Sequence, residues 1–185
     1  MSTSASVLAP AKINLFLRVL HKRLDGYHEL DTLFQAVALY DRVTVEISGT
    51  GVELEVSGFD PGPDRENLAL LAAQRLIALA GINIGVKIYL KKQIPVGSGL
   101  GGGSSNAAAV LRALSVLHEG LAGEDRLREI GNELGADVAF FLGESALSRG
   151  TGRGGNLQPM PALPIANLVV VSPPVHSSTA EAYKA

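Results

Sequence analysis

Alternation of apolar and polar residues dominates the first third of the chain and predicts β-strands there. In residues 7–20 one face is apolar and the other is mixed; the two sets are Ile13, Leu15, Leu17 and Val19 against Lys12, Asn14, Phe16 and Arg18. Further strands are predicted over residues 32–38, 42–48, 51–58, 86–90 and 167–172. Leu24-Asp25-Gly26 marks a turn after the first strand.

Helical spacing of apolar residues begins later in the chain. It predicts helices over residues 67–80, which Gly81 ends, and over residues 124–134. A third helix follows a glycine-rich stretch, with Ser104 or Ser105 as its predicted N-cap. Strands come first and are then mixed with helices, so the order favours an α+β fold over an alternating α/β fold.

Composition narrows the function classes. The chain has 185 residues, of which 46% are apolar, so it can bury a core. It has no cysteine, which excludes disulfides, zinc–thiolate sites, iron–sulfur clusters and thiol nucleophiles. The net charge of −2 argues against a general nucleic-acid binder. Neither a secretory signal nor a membrane span is apparent, so we expect a cytoplasmic protein without membrane partners.

The glycine-rich stretch is the most informative local pattern. Residues 97–103 contain five glycines in seven positions and lead directly into a predicted helix. Backbone without side chains can approach a ligand closely, and a helix N-terminus favours an anion such as phosphate. A dinucleotide fingerprint is disfavoured because residues 91–95 separate the strand from the glycines, and no lysine follows them as in nucleoside triphosphatases. A flexible loop with an ordinary N-cap is the alternative.

Three polar residues complete a candidate phosphoryl-transfer site. Lys12 and Asn14 lie two apart on a predicted strand and therefore share a face. Asp137 is the one charge in an apolar stretch, residues 134–142, and a buried carboxylate needs a cation or hydrogen-bond donors. An aspartate that orients a hydroxyl and a lysine that stabilises phosphoryl charge suit such chemistry. The alternatives are a solvated strand face for Lys12 and Asn14 and a helix N-cap for Asp137.

Four segments occur in an order and spacing that resemble those of the GHMP small-molecule kinases. They are APAKINLFLRV, DGYHEL, PVGSGLGGGSSNAA and LGADVAFF. The resemblance implies the N-terminal lobe of that family (ribosomal protein S5 domain 2-like) over residues 1–165. It implies the start of a C-terminal, ferredoxin-like lobe over residues 166–185, most of which is missing from this chain. An N-terminal lobe without that partner is expected to expose apolar surface.

The resemblance also implies an ATP-dependent kinase whose small-molecule acceptor is a cytidine diphosphate sugar alcohol, with Mg²⁺ accompanying ATP. Lys12 and Asp137 match the catalytic pair, with Asp137 as the base toward the acceptor hydroxyl. Substrate-binding positions map to Asn14, Tyr27, His28, Thr179 and Tyr183. The ATP phosphates are expected on Pro95, Val96, Gly97, Ser98, Gly99, Leu100, Gly101, Gly102, Gly103, Ser104 and Ser105.

One local departure and three alternatives accompany this interpretation. Gly155 stands where the family usually has glutamate. The chain could instead be a GHMP kinase for another small alcohol, or a fragment that binds nucleotide without turnover. An RNA-binding module is the third alternative, because the fold also occurs in ribosomal proteins; the net charge of −2 disfavours it.

Overall fold

The computed structural model describes residues 3–118 and 121–172. Within them, six strands form one sheet: β1 (Ser4–Lys22), β2 (His28–Ile47), β3 (Val52–Gly58), β4 (Val86–Lys92), β5 (Leu147–Gly152) and β6 (Asn156–Pro159). A 3₁₀ turn covers Asp64–Glu66. The helices are α1 (Leu68–Ala80), α2 (Gly102–Leu117), α3 (Glu124–Leu134) and α4 (Ala136–Leu142). The α+β class is therefore confirmed. None of the described helices is long and apolar enough to cross a membrane.

Strand β2 is the axis of the sheet. β1 pairs with it antiparallel along one edge, after the turn predicted at Gly26. The other edge is shared, because residues 42–47 of β2 pair with β4 and residues 30–35 pair with β5. β3 joins β4 in parallel, and β6 closes the opposite side against β5.

Two predicted strands, over residues 32–38 and 42–48, are one continuous strand. A register shift lies opposite Pro10 and Ala11, whose partners are Tyr40 and Val37. The residues between those partners bulge instead of turning, so the chain stays extended through β2.

The core lies between the sheet and the helices. Leu76 of α1 and Leu111 and Leu114 of α2 are fully buried against Val45 and Ile88 of the sheet. Helix α1 agrees with its prediction: the Asn67 side chain accepts a hydrogen bond from the Ala69 N–H, and Gly81 follows in the left-handed conformation. Helix α3 has the predicted bounds.

The predicted N-cap of α2 is wrong. The helix begins at Gly102 with Gly101 as its N-cap, so Ser104 and Ser105 lie inside its first turn. Close packing explains the earlier start. A Cβ at Gly102 would lie 3.0 Å from both Ile94 Cγ2 and Lys92 Nζ, which is closer than ordinary van der Waals contact, so glycine fits here without displacing either side chain.

The strand predicted over residues 167–172 is also wrong. The described residues after β6 form no helix or strand, and Val169 and Val171 are more than four-fifths exposed. An apolar alternation needs a neighbouring strand to become part of a sheet, and none of the described residues supplies one. The β5–β6 hairpin was not predicted, because Gly150, Gly152 and Gly154 weaken the strand pattern there.

Candidate active site

Lys12 and Asp137 meet although 125 positions separate them in the sequence. Lys12 lies on β1 and is buried, and its Nζ is 3.4 Å from Asp137 Oδ2 in the first turn of α4. Asp137 makes no capping hydrogen bond, so the N-cap alternative is wrong. Its side chain keeps about a third of its exposure (32%), which leaves the carboxylate open to a ligand.

A short chain of hydrogen bonds orients the Lys12 ammonium. Lys12 Nζ donates to Asn14 Oδ1 at 2.8 Å, and Asn14 Nδ2 donates to Thr32 Oγ1 at 2.7 Å. Thr32 in turn donates to the carbonyl oxygen of Phe16 at 2.8 Å. The ammonium also lies 5.6 Å from the centre of the Phe34 ring. The solvated-face alternative for Lys12 is therefore wrong, since its charge is buried among acceptors and an aromatic face.

The glycine loop is anchored to the same strand. The backbone N–H of Lys12 donates to the carbonyl oxygen of Leu100 at 2.9 Å, and Ser98 Oγ donates to the carbonyl oxygen of Pro95 at 2.6 Å. Gly101, at φ +71°, turns the chain into α2. A Cβ on Gly101 would lie 3.0 Å from Lys12 Cγ, so the loop packs directly on the lysine side chain.

Two cavities flank the loop. A cavity of about 310 Å³ is lined by Asn67, Lys92, Asn106 and most of the predicted phosphate loop, from Pro95 to Ser104. A second, of about 410 Å³, is lined by Lys12, Asn14, Leu17, Leu30, Thr32, Phe34, Gly97, Ser98, Gly99, Ala136, Asp137, Arg153 and Gly154. Gly97, Ser98 and Gly99 line both cavities, so the two spaces adjoin at this stretch of the loop.

Tyr27 and His28 do not line this second cavity, although Tyr27 contacts Arg153, which does. Tyr27 is half exposed, and the Arg153 guanidinium lies 3.5 Å from its ring centre. The turn that carries Tyr27 is held by Asp25, whose Oδ1 accepts the Tyr27 N–H at 3.1 Å. Burial raises the pKa of Asp25, but the hydrogen bonds from Tyr27 and Arg23 outweigh it and hold this pKa below its ordinary value.

The remaining residues singled out from the sequence do not all lie at the two cavities. Thr179 and Tyr183 lie outside the described residues. Ser104 faces the first cavity, whereas the Ser105 side chain is buried in the first turn of α2. Gly155 lines neither of the two cavities, and a Cβ there would be 3.2 Å from Asn132 Oδ1.

Some residues around the site could not be predicted from local sequence patterns. Thr32 and Arg153 line the second cavity, and a buried group of Asp41, Lys92 and Asn106 lies beneath the loop. Asp41 is 51 positions from Lys92 and 65 from Asn106, so no local pattern connects them. Of this group, only Asn106 belongs to a segment that the sequence singled out.

The chain matches a protein family model and several named relatives. Residues 67–144 match the family model described as GHMP kinases N terminal domain. A 4-diphosphocytidyl-2-C-methyl-D-erythritol kinase from Pelotomaculum thermopropionicum is 45% identical over 97% of this chain and 63% of its own length. The kinase of that name from Desulfotalea psychrophila is 42% identical over 100% of this chain and 62% of its own length. The chain thus spans about three-fifths of the length of these curated relatives.

Solved structures share the fold. A crystal structure of 4-(cytidine 5'-diphospho)-2C-methyl-D-erythritol kinase superposes with a TM-score of 0.74 and 46% identity, covering 86% of this chain and 56% of that one. A homoserine kinase from Cytophaga hutchinsonii superposes with a TM-score of 0.66 at 24% identity, over 87% of this chain and 53% of that one. At that identity the second match shows the fold alone.

Proposed function

The chain belongs to the GHMP kinase family, and on this premise we propose that it transfers the γ-phosphoryl group of ATP to the 2-hydroxyl of 4-diphosphocytidyl-2-C-methyl-D-erythritol. This is a step of non-mevalonate isoprenoid precursor biosynthesis, carried out in the cytoplasm. The names of the relatives supply the acceptor. The observation that carries the proposal is that the two cavities adjoin, because residues 97–99 line both. The γ-phosphate of ATP in the first cavity can therefore meet the acceptor hydroxyl in the second where the two spaces adjoin.

The loop side suits the triphosphate of ATP. The first cavity is lined largely by glycine backbone at the start of α2, where free N–H groups and the positive end of the helix dipole favour phosphate oxygens. Residues 95–105 therefore hold the donor. Their anchor on β1, the hydrogen bond from the Lys12 N–H to Leu100, sets the distance between donor and acceptor sites.

The acceptor side suits activation of a hydroxyl. The partly exposed Asp137 carboxylate accepts the proton of the acceptor hydroxyl as the oxygen attacks the γ-phosphorus and ADP leaves. The Lys12 ammonium, held by Asn14, stabilises the negative charge that develops on the attacking and transferring oxygens. Because Lys12 is buried and oriented before substrate arrives, little reorganisation is needed during transfer.

Magnesium belongs to the proposal as the ion that accompanies ATP. The described residues contain no cluster of three or more acidic or histidine side chains that could hold a metal alone. Mg²⁺ at phosphoryl-transfer sites is bound by one or two protein oxygens together with substrate phosphates. Glu66 and Ser104 line the first cavity and fit that donor set. The ion would neutralise phosphate charge there.

The cytidine end of the acceptor is assigned to the turn between β1 and β2 and its surroundings. The exposed Tyr27 ring offers a face for cytosine, and His28 offers polar contacts to the base edge. Asn14 contacts the acceptor near Lys12. Thr179 and Tyr183, outside the described residues, complete the substrate contacts in this proposal. We assign residues 1–165 to the ATP-binding lobe and residues 166–185 to the start of a second lobe.

A coupled assay of ADP release from MgATP tests the proposal. The chain is given 4-diphosphocytidyl-2-C-methyl-D-erythritol, homoserine or mevalonate at equal concentrations, with a no-acceptor control. Release that depends on the cytidine compound alone is expected. Release that depends on homoserine or mevalonate instead would overturn the choice of acceptor, while preserving the assignment of the phosphate loop.

A further inference from the structure

A buried carboxylate occupies the point where the chain leaves the sheet to form the phosphate loop. Asp41 on β2 has no exposed surface. The pairing of β2 with β4 ends at Arg42 and Lys91, so Asp41, the next residue, is not part of it. At this point the Asp41 side chain takes over from the strand backbone as hydrogen-bond acceptor: its Oδ1 accepts the N–H groups of Gln93 at 2.6 Å and Ile94 at 2.9 Å.

The second oxygen of the same carboxylate reaches the other end of the loop. Asp41 Oδ2 accepts a hydrogen bond from Asn106 Nδ2 at 2.9 Å and another from Lys92 Nζ. Lys92 Nζ also donates to Asn106 Oδ1 at 3.1 Å, which closes a triangle of three side chains. Lys92 and Asn106 are only 5% and 1% exposed. Asn106 lies in α2, shortly after its first turn.

We infer that Asp41 is a positioning residue for ATP, because it fastens both ends of the phosphate loop to strand β2. The segment between Lys92 and Asn106 contains five glycines, which contribute no side-chain hydrogen bonds to hold it in place. One carboxylate that binds the backbone entering this segment and the helix leaving it fixes the span that the loop must bridge. Asp41 lines neither cavity, so it acts through the loop and not on the ligand.

A purely electrostatic role for the group gives the opposite expectation. Lys92 Nζ lies directly below Gly102, at the start of α2, so its charge is close to the phosphate cavity. If Asp41 only neutralised that charge, its removal would strengthen ATP binding. If Asp41 positions the loop, its removal weakens ATP binding although the local charge becomes more positive. The sign of the change separates the two roles.

Asp41→Asn is the variant that tests the inference, which rests on the proposed function for its ligand. The substitution keeps one oxygen for the loop N–H groups and places an amide donor against Lys92 and Asn106. Amide hydrogen exchange without nucleotide measures the loop, and titrations with MgATP and with cytidine diphosphate measure the two sites. We expect faster exchange at residues 93–106, about tenfold weaker MgATP binding and unchanged cytidine diphosphate binding.

Two further variants keep the result interpretable. Asp31→Asn removes a carboxylate elsewhere on β2, one that pairs with Arg149 at 2.8 Å, and is expected to leave loop exchange and MgATP affinity unchanged. The exchanged pair Asp41→Asn with Asn106→Asp returns a carboxylate to the triangle and an acceptor to Lys92. It is expected to recover part of the lost affinity. It also provides a testable protein if the single variant, with its buried lysine unpaired, does not fold.

Unchanged exchange at residues 93–106 in Asp41→Asn would overturn the inference. Exchange that rises across the whole sheet would also overturn it, because Asp41 would then support folding in general. Tighter MgATP binding would assign it the electrostatic role. A wild-type chain that binds no MgATP would overturn the proposed function, while the exchange data would still decide whether Asp41 holds the loop.

Discussion

Replacement of Gly101 by alanine disturbs the loop and the catalytic lysine together. Gly101 has φ +71°, and an alanine in the left-handed region costs about 1 kcal/mol. Its Cβ would lie 3.0 Å from Lys12 Cγ and 3.0 Å from Phe141 Cε2, so these side chains must move by a few tenths of an ångström. An off-rotamer shift of the buried lysine costs about another 1 kcal/mol. The total loss of stability is therefore about 2 kcal/mol.

Gly81→Ala provides the matched control. Gly81 ends α1 at φ +64°, and nothing lies within 4 Å of the Cβ that would be added. It carries the backbone strain without the contact, so we expect a loss of about 1 kcal/mol and unchanged turnover. In a domain of this size 1 kcal/mol corresponds to about 2–4 °C in Tm. Thermal unfolding followed by circular dichroism should show a Tm loss about twice as large for Gly101→Ala.

The two variants should differ more in activity than in stability. Displacement of Lys12 moves its ammonium relative to Asp137 and to the transferring phosphoryl group, and an error of 1 Å in such sites costs up to about 100-fold. We expect ADP release by Gly101→Ala to fall about tenfold or more at a temperature where both variants are folded. Equal Tm and equal turnover in the two variants would refute the close packing of loop and lysine.

Three other perturbations test separate parts of the structure. Asp137→Asn should lower kcat by about 10²–10⁴-fold and Lys12→Ala by about 10²–10³-fold, both without weakening cytidine diphosphate binding in an equilibrium titration. Loss of nucleotide binding instead of turnover would contradict these roles. Tyr27→Leu should lower the affinity for cytidine diphosphate about tenfold, because the stacking of cytosine on the ring is lost, and should leave the affinity for MgATP unchanged. An unchanged affinity for cytidine diphosphate would contradict the assignment of Tyr27 to the cytosine. Hydrogen bonds from Arg149 hold the pKa of Asp31 below its ordinary value of 3.8, so their stabilisation is present above that pH and is lost as pH falls through the lower, folded-state pKa. The Tm difference between wild type and Asp31→Asn should therefore be present at pH 7 and shrink below about pH 4, and a gap that persists in acid would contradict the pairing.

The elements that could be predicted are those with a local physical cause. Helix α1 has an asparagine cap and a glycine stop in its own sequence, and β3 alternates cleanly between two glycines. Asp137 could be singled out because a lone charge in an apolar stretch requires a partner. The role of Lys12 is predicted from the strand pattern and the family resemblance, and the structure places Lys12 Nζ 3.4 Å from Asp137 Oδ2.

The elements that could not be predicted depend on distant parts of the chain. Whether residues 167–172 form a strand depends on a pairing partner, which no local alternation can reveal. The start of α2 was misplaced because glycines are poor helix formers, and here tight packing against Ile94 outweighs that propensity. Asp41 is buried by contacts from β4 and α2, so nothing beside it in the sequence indicates its partners.

The most direct test of the central claim, that Lys12, Asp137 and the glycine loop form one phosphoryl-transfer site, is phosphorus NMR of the product. Wild type and Asp137→Asn are incubated with MgATP and 4-diphosphocytidyl-2-C-methyl-D-erythritol. We expect a new phosphate monoester resonance with wild type only, and the cytidine diphosphate linkage left intact. An equal monoester yield from Asp137→Asn, or cleavage of the diphosphate in place of transfer, would contradict the claim.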